Sequence, residues 1–244
     1  MGVWCGPDFE GTIEKNYREK VKSIKTSLNI WAQRNLSLKG KVSVLRTFIL
    51  PQILYIVSSL YTPEWVVTEV ENMFFEFLWS NKKAHVKKSV VINEVSNGGL
   101  KMPLFSAIVK SIKVMWIKRI LSKEGIRHDL IKHFVHYKDN NIVDIINSKL
   151  MIDMVCFNSL FYKQVFTYWY DIHSVEPENV NDIMNCSIWN NAFITVDKKP
   201  IHYSIWQEKG IRQIKDIVKN DGSFRSKKEL EEMFVLKIKQ MDYK

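Results

Sequence analysis

The chemistry in this chain starts at Ser37-Leu38-Lys39-Gly40-Lys41, directly ahead of a long apolar run. Ser37 is a good N-cap, because its hydroxyl can accept one of the free amide protons of a helix's first turn. Lys39 and Lys41 then place positive charge at the positive end of the helix dipole, with no carboxylate nearby. Gly40 adds a helix penalty of roughly 1 kcal/mol against alanine. An anion such as a phosphate, held by the free amides and both ammonium groups, would account for both features. Lysines that simply point into water would account for them too, since the dipole penalty is only about a few tenths of a kcal/mol.

More cations surround this point. Lys15, Arg18, Lys22 and Lys25 form a row beside the apolar stripe of the preceding helix pattern, although Glu14 and Glu19 dilute it. Such a row can follow a phosphate backbone, and it is equally what a solvated helix displays. Arg34 and Arg46 flank the capped start, and Lys82, Lys83, Lys87 and Lys88 bracket His85 further on. From Lys82 to Arg119 nine Lys and Arg stand against one acid, Glu94. The net charge of +10 is therefore uneven. Residues 1–119 hold 18 Lys and Arg against 9 Asp and Glu, and residues 120–244 hold 18 against 17. An anionic partner is favoured, and it belongs to the first half.

Other chemistry is sparse. His133-x-x-His136 offers two ligands at helical spacing but no Cys or third His closes the set, so no metal site is expected. No Gly-rich phosphate loop, nucleophile–base pair or cofactor motif is present. Trp31, Trp79 and Trp116 could stack on bases, but their helical spacing assigns them to the core. Three scattered cysteines and no N-terminal apolar segment suggest a reducing compartment, nuclear or cytoplasmic. The most lipophilic run, Phe48–Leu60, is 13 residues long and contains Pro51 and Gln52. It is too short to span a bilayer and reads as a buried helix.

The elements that position these groups are mostly helical. Met1–Gly6 has the pattern of one strand without a partner, as though the chain began inside a larger fold. Ile13, Tyr17, Val21, Ile24, Leu28 and Trp31 form one stripe of an amphipathic helix. A second helix carries Val42, Leu45, Ile49, Ile53, Ile56 and Leu60 on one face. Val44, Phe48, Tyr55 and Val57 make its other side apolar, so it should lie inside a bundle, kinked at Pro51. Thr62-Pro63 then caps a third helix, running to about Trp79, whose charges are all acidic. A nucleic-acid surface would have to face away from it. Ser89–Ile92 reads as a short strand, Asn97–Gly99 as a turn, and a basic helix follows Pro103. Beyond Ser122 helical patterns cover about 127–137, 141–146 and 150–170. Ile188–Ile205 is irregular or strand-like, and Ser226-Lys-Lys-Glu229 is a capping box. The uncapped end at Lys244 suggests that the chain stops early.

Several segments, in order, resemble the C-terminal part of a LINE-class non-LTR retrotransposon reverse transcriptase. They are Gly2-Val-Trp4; Trp31-x-x-Arg34-x-Leu36-Ser37-Leu38-x-Gly40-Lys41 with Ile49-Leu-Pro51-x-Ile-Leu-Tyr55; and Phe74-x-x-Phe77-Leu-Trp79. Gly98-Gly-Leu100, Trp116-Ile-Lys-Arg119, Trp206-x-x-x-Gly210-Ile211, Ile214-x-Asp216-Ile217, Asp221-Gly222 and Phe224 continue the match. The resemblance implies a mainly α fold. It comprises an orphan strand at 1–9 from the end of a polymerase core and a three-helix thumb-like bundle at 10–80. A basic strand, turn and helix connector at 81–122 and a mostly helical region with a few short strands at 123–244 follow. It also implies a thumb that grips RNA, DNA or an RNA–DNA hybrid through the backbone, using Lys22, Arg34, Lys39, Lys41, Arg46, Lys82, Lys83, Lys87 and Lys88. The palm of such a polymerase is a further partner in trans. The paired Asp-Asp that would hold catalytic Mg²⁺ is absent, as is any Cys-x-x-Cys, so no catalytic residue is assigned. The alternative reading is a structural or protein-docking remnant, or a fragment with no independent function.

Overall fold

Asp8 starts the first helix, its carboxylate accepting the Gly11 amide, and α1 (Phe9–Ala32) buries Ile13, Tyr17, Val21, Ile24 and Leu28 on the expected stripe. The computed structural model describes residues 2–80, 82, 86–122, 130–136, 142–147, 155–173, 179–191 and 193–237. They form two units that divide between Trp116 and Ile117.

No strand forms at residues 2–6. Asn16 of α1 takes the place of a strand partner instead. Its Oδ1 accepts the Trp4 N–H at 3.0 Å and its Nδ2 donates to the Trp4 carbonyl at 2.8 Å. A side-chain amide thus satisfies both backbone groups that a ladder would have paired.

Ser37 caps α2 (Leu38–Val44), accepting the Gly40 amide at 3.2 Å. A π-helical turn (Leu45–Ile49) and α3 (Pro51–Ser59) continue the same rod. The kink expected at Pro51 is present, with 47° between the two arms. Proline lacks an N–H and its ring crowds the carbonyl four residues back, here Thr47. The wider turn ahead of it, closed by Leu50 N–H to the Leu45 carbonyl at 2.8 Å, relieves that crowding. It also keeps Leu45, Ile49 and Ile53 in line and fully buried. The far side does not lie in a bundle interior as expected. Val44 and Val57 are buried, but Phe48 and Tyr55 are 52% and 55% exposed. Among the described residues no single helix is long and apolar enough to cross a membrane; the bent pair Leu38–Ile49 and Pro51–Ser59 reaches that length only together.

α4 (Glu64–Trp79) begins one residue later than expected, with Pro63 rather than Thr62 in the cap position. Thr62 is turned inward, its hydroxyl 2.9 Å from that of Tyr17, which is itself fully buried. Val66, Val70, Phe74 and Leu78 complete the core against α1. α5 (Lys88–Ile92) is a short helix where a strand was expected. Among the described residues no strand lies alongside it, and the Val91 carbonyl receives the amides of Leu100 and Met102 from a returning loop. β-propensity yields when no pleated surface is available to pack on. The turn at Asn97–Gly99 forms, with Gly98 left-handed at φ 76°. α6 (Phe105–Leu121) follows, its Ser106 amide donating to the Glu71 carboxylate of α4 at 2.8 Å.

In the second unit β1 (Val135–His136) pairs antiparallel with β2 (Cys156–Phe157), Val135 opposite Phe157. Within the span expected as a helix at 127–137, residues 132–134 turn before β1. Within that expected at 150–170, residues 155–159 are not helical and α8 covers Leu160–His173. Residues 123–129, 137–141 and 148–154 lie outside the described residues. α7 (Ile142–Asn147) matches the expected short helix, and its end is closed from α8. There the Trp169 indole donates to the Ile146 carbonyl at 2.8 Å and the Tyr170 hydroxyl to that of Ile145 at 2.7 Å. After α9 (Val180–Met184) comes a hairpin of β3 (Thr195–Val196) and β4 (Lys199–Pro200). Asp197 and Lys198, both left-handed, form its two-residue turn. α10 (Ser204–Glu208), α11 (Ile214–Ile217) and α12 (Lys227–Phe234) pack around Ile188, Trp189, Trp206, Ile211, Leu230 and Leu236. The capping box at Ser226 and Glu229 is formed. The fold is mainly α with a few short strands.

Candidate nucleic-acid interface

The two lysines of the α2 start do not converge on one point. Lys41 is only 8% exposed and turns into the bundle, donating to the Leu78 carbonyl at 3.0 Å and to the Ser80 hydroxyl at 2.5 Å. Ser80 is left-handed and ends α4, so the ammonium sits on the negative end of that helix, where a cation is favourable. The oddity of a lysine in the first turn of α2 is thereby explained without an anion. Lys41 is withdrawn from the set of phosphate contacts expected of it. Burial, and after it the charge of Lys82, pulls its pKa below the ordinary lysine value.

The same contact shows how the bundle's ends are arranged. α1 and α4 run parallel: Arg18, in the first half of α1, lies 5.8 Å from the ring of Trp65 at the start of α4. Near their ends Lys25, Asn29 and Ala32 line one groove with Met73, Glu76 and Ser80. The end of α1, the start of α2 and the end of α4 therefore share one end of the bundle. Arg34, Lys39 and Lys82 are exposed there. Arg34 stacks its guanidinium 4.7 Å from the Trp31 ring, which pins it without removing it from water. Lys39 and Ser43 lie one turn apart, the Ser43 hydroxyl donating to the Lys39 carbonyl at 3.1 Å.

The remaining cations are divided. The Arg46 guanidinium donates to the Lys101 carbonyl and so ties the π turn to the connector loop. Lys88 lies over the Phe75 ring at 4.4 Å, on α4. Lys87 is exposed at the cap of α5, Lys22 is exposed midway along α1, and Lys83 lies outside the described residues. The acidic helix does not face away from every cation. Arg18 and Lys25, in the same row as Lys22, border α4, and Lys25 shares a groove with Glu69 and Glu76. Of the expected nine, Arg34, Lys39 and Lys82 are exposed at one end of the bundle, Lys41, Arg46 and Lys88 are used within the fold, and Lys22 and Lys87 are exposed elsewhere.

One buried cation lay outside the residues assigned from sequence. Lys113 of α6 is fully buried and its ammonium donates to the carbonyls of Val57, at 2.7 Å, and Leu60, while the Trp116 indole donates to Ser58 at 3.0 Å. Together they close the end of α3. Burial pushes the Lys113 ammonium down to about 7, although carbonyls at a helix end favour its charged form. The signal was present in sequence as a lysine three residues before a tryptophan on an apolar helix, but no spacing rule says that both reach another helix.

An aromatic pair lies beside the cations. Trp31 and Phe48 stack with centroids 5.1 Å apart and planes 31° apart. Trp31, Trp79 and Trp116 are half-buried rather than core. The late segment is structural in its contacts. Asp216 accepts the amides of Arg212 and Gln213, and Gly210 and Gly222 are left-handed at φ 102° and 84°. His133 and His136 are not on a helix, and Asn158 bonds to both, through the His133 carbonyl and the His136 ring. Among the described residues no three His, Cys, Asp or Glu side chains converge.

No protein-family model matches the chain. Its function is read from its own residues. From Lys20 through Pro63 there are seven Lys and Arg and not one Asp or Glu.

Proposed function

We propose that residues 9–116 are a thumb-like module that holds the phosphate backbone of a template–primer nucleic acid with little sequence specificity. In this reading the chain is a non-catalytic segment related to LINE-class reverse transcriptases. The supporting observation is the exposed group Arg34, Lys39 and Lys82 at one end of the bundle, next to a stretch without a single carboxylate. Phosphates at such a surface would meet three exposed cations, with Glu76 in the last turn of α4 the acid that the groove at the same end contains. Arg46, Lys87, Lys88 and Lys22 extend the surface only as secondary contacts.

The test is fluorescence anisotropy of a labelled RNA–DNA duplex across a salt series. Each phosphate neutralised contributes about 0.9 to the slope of log K against log salt. Replacing Arg34, Lys39 and Lys82 by alanine should make the slope shallower by roughly 2 to 3. K41A should leave the slope unchanged, because that ammonium is engaged on α4. Absence of binding at low salt, or a triple variant with the wild-type slope, would overturn the proposal. The half-exposed Phe48 and Tyr55 favour a second reading, a docking face for a protein partner. A face that captures protein but no nucleic acid would establish it.

A further inference from the structure

We infer that the Phe48 ring is a stacking platform for one unpaired base, so that the surface prefers nucleic acid that is single-stranded or carries an unpaired end. The inference rests on the backbone-binding reading above and adds the class of ligand. Phe48 is 52% exposed although Leu45 and Ile49, on either side of it in the π turn, are fully buried. Burying a phenylalanine ring is strongly favourable, so this ring forgoes much of what its neighbours gain. It is not an isolated surface residue. The Arg34 guanidinium lies on Trp31, and Trp31 lies on Phe48, three flat groups in succession.

Phe48 is tied to α1 through its backbone. Its backbone carbonyl accepts from the Gln52 side chain at 2.8 Å, and the same Gln52 nitrogen reaches the Ser27 hydroxyl of α1 at 3.4 Å. A flat, half-exposed ring that packs on Trp31 beside Arg34 is what a base can stack on, while its phosphate meets Arg34 or Lys39. Stacking tolerates any base, which agrees with backbone binding that ignores sequence. Paired bases inside a duplex have no free face to offer. An anionic membrane surface is the competing class, since Ile30 and Leu38 are also exposed. It is disfavoured because the organised part of the surface is the planar series, which offers faces rather than apolar depth.

The experiment compares three probes against the full chain. They are an unstructured oligonucleotide of about ten residues, a blunt RNA–DNA hybrid, and the same hybrid with a short single-stranded overhang. The single strand and the overhang should bind more tightly than the blunt hybrid by roughly five- to 150-fold. F48A and F48L should both lose that preference, with F48L keeping the apolar bulk so that altered folding cannot account for the loss. F48Y should retain it, and none of the three should change the salt slope, because no charge is removed. If F48L binds the single strand like the wild type while R34A/K39A/K82A makes the slope shallower, the platform is wrong and the backbone reading stands. If no nucleic acid binds at low salt, both fall. If vesicles of phosphatidylserine bind and lose binding in F48L while nucleic acid does not bind, the surface is a membrane face and the inference is overturned.

Discussion

The ammonium of Lys41 lies 3.0 Å from the carbonyl of Leu78, so the first turn of α2 supplies the cation that closes the last turn of α4. A residue that reads as misplaced on its own helix is correctly placed for the next one. The same solution recurs in Lys113 and Trp116 on α3, and in Trp169 and Tyr170 on α7. The carbonyl ends of α3, α4 and α7 are each met by side chains from another helix.

Lys41 and Lys39 are therefore separable by experiment. K41M leaves the Leu78 carbonyl buried without its donor and should lower unfolding free energy by about 1–3 kcal/mol. K39A, at an exposed position, should stay within about 0.5 kcal/mol of the wild type. Urea denaturation of the two variants checks both numbers.

Lys113 gives the first unit a pH dependence of definite sign. Its folded pKa, pushed down by burial to about 7, lies below the ordinary 10.5 of the unfolded chain. Between those values the unfolded state binds the extra proton, so stability should rise as pH increases from 7 toward 10.5. Below pH 7 the cost of the buried charge is present in full. In K113M this rise should be absent, which denaturant midpoints at pH 6.5 and 9.5 would show.

Gly99 is fixed by space. A Cβ there would stand 2.0 Å from the Asn93 carbonyl oxygen, a backbone atom that cannot swing aside. G99A should cost about 1–3 kcal/mol and open the loop between α5 and α6. G98A meets no neighbour but must hold φ at 76°, and should cost only about 1 kcal/mol. Limited proteolysis should cut G99A in this loop before G98A.

Glu229 gives the second unit an acid-side dependence. Its carboxyl is held down to about 2, first by the Lys219 ammonium at 2.8 Å and then by the Ser226 amide at 2.7 Å. That stabilisation is complete above the ordinary 4.5 and is lost as pH falls toward 2. The pair is exposed, so added salt should shrink the effect. E229Q should flatten the acid limb of a thermal-stability profile by lowering the neutral value toward the acid one, so that variant and wild type converge near pH 2.

Much of the local structure followed from the sequence alone. The stripe from Ile13 to Leu28, the cap at Ser37, the kink at Pro51 and the box at Ser226 depend on residues within a turn or two of each other. Periodicity, capping and ring geometry act at that range, so a linear reading suffices. Charge asymmetry is a property of composition and was equally legible.

What only the tertiary structure decided was the use made of each charge and ring. Lys41 and Lys39 differ by two positions and are indistinguishable in sequence, yet one is buried on α4 and the other exposed. Their difference lies in the parallel packing of α1 and α4, which brings the end of α4 beside the start of α2. Thr62 became a partner of Tyr17 rather than a cap, and Asn16 replaced a strand, through contacts 45 and 12 residues apart. Phe48 left the core because a π turn absorbed the strain of Pro51 and kept Leu45 and Ile49 inward. Such outcomes depend on which distant backbone groups need a donor or a neighbour, and that is fixed only once the helices have met.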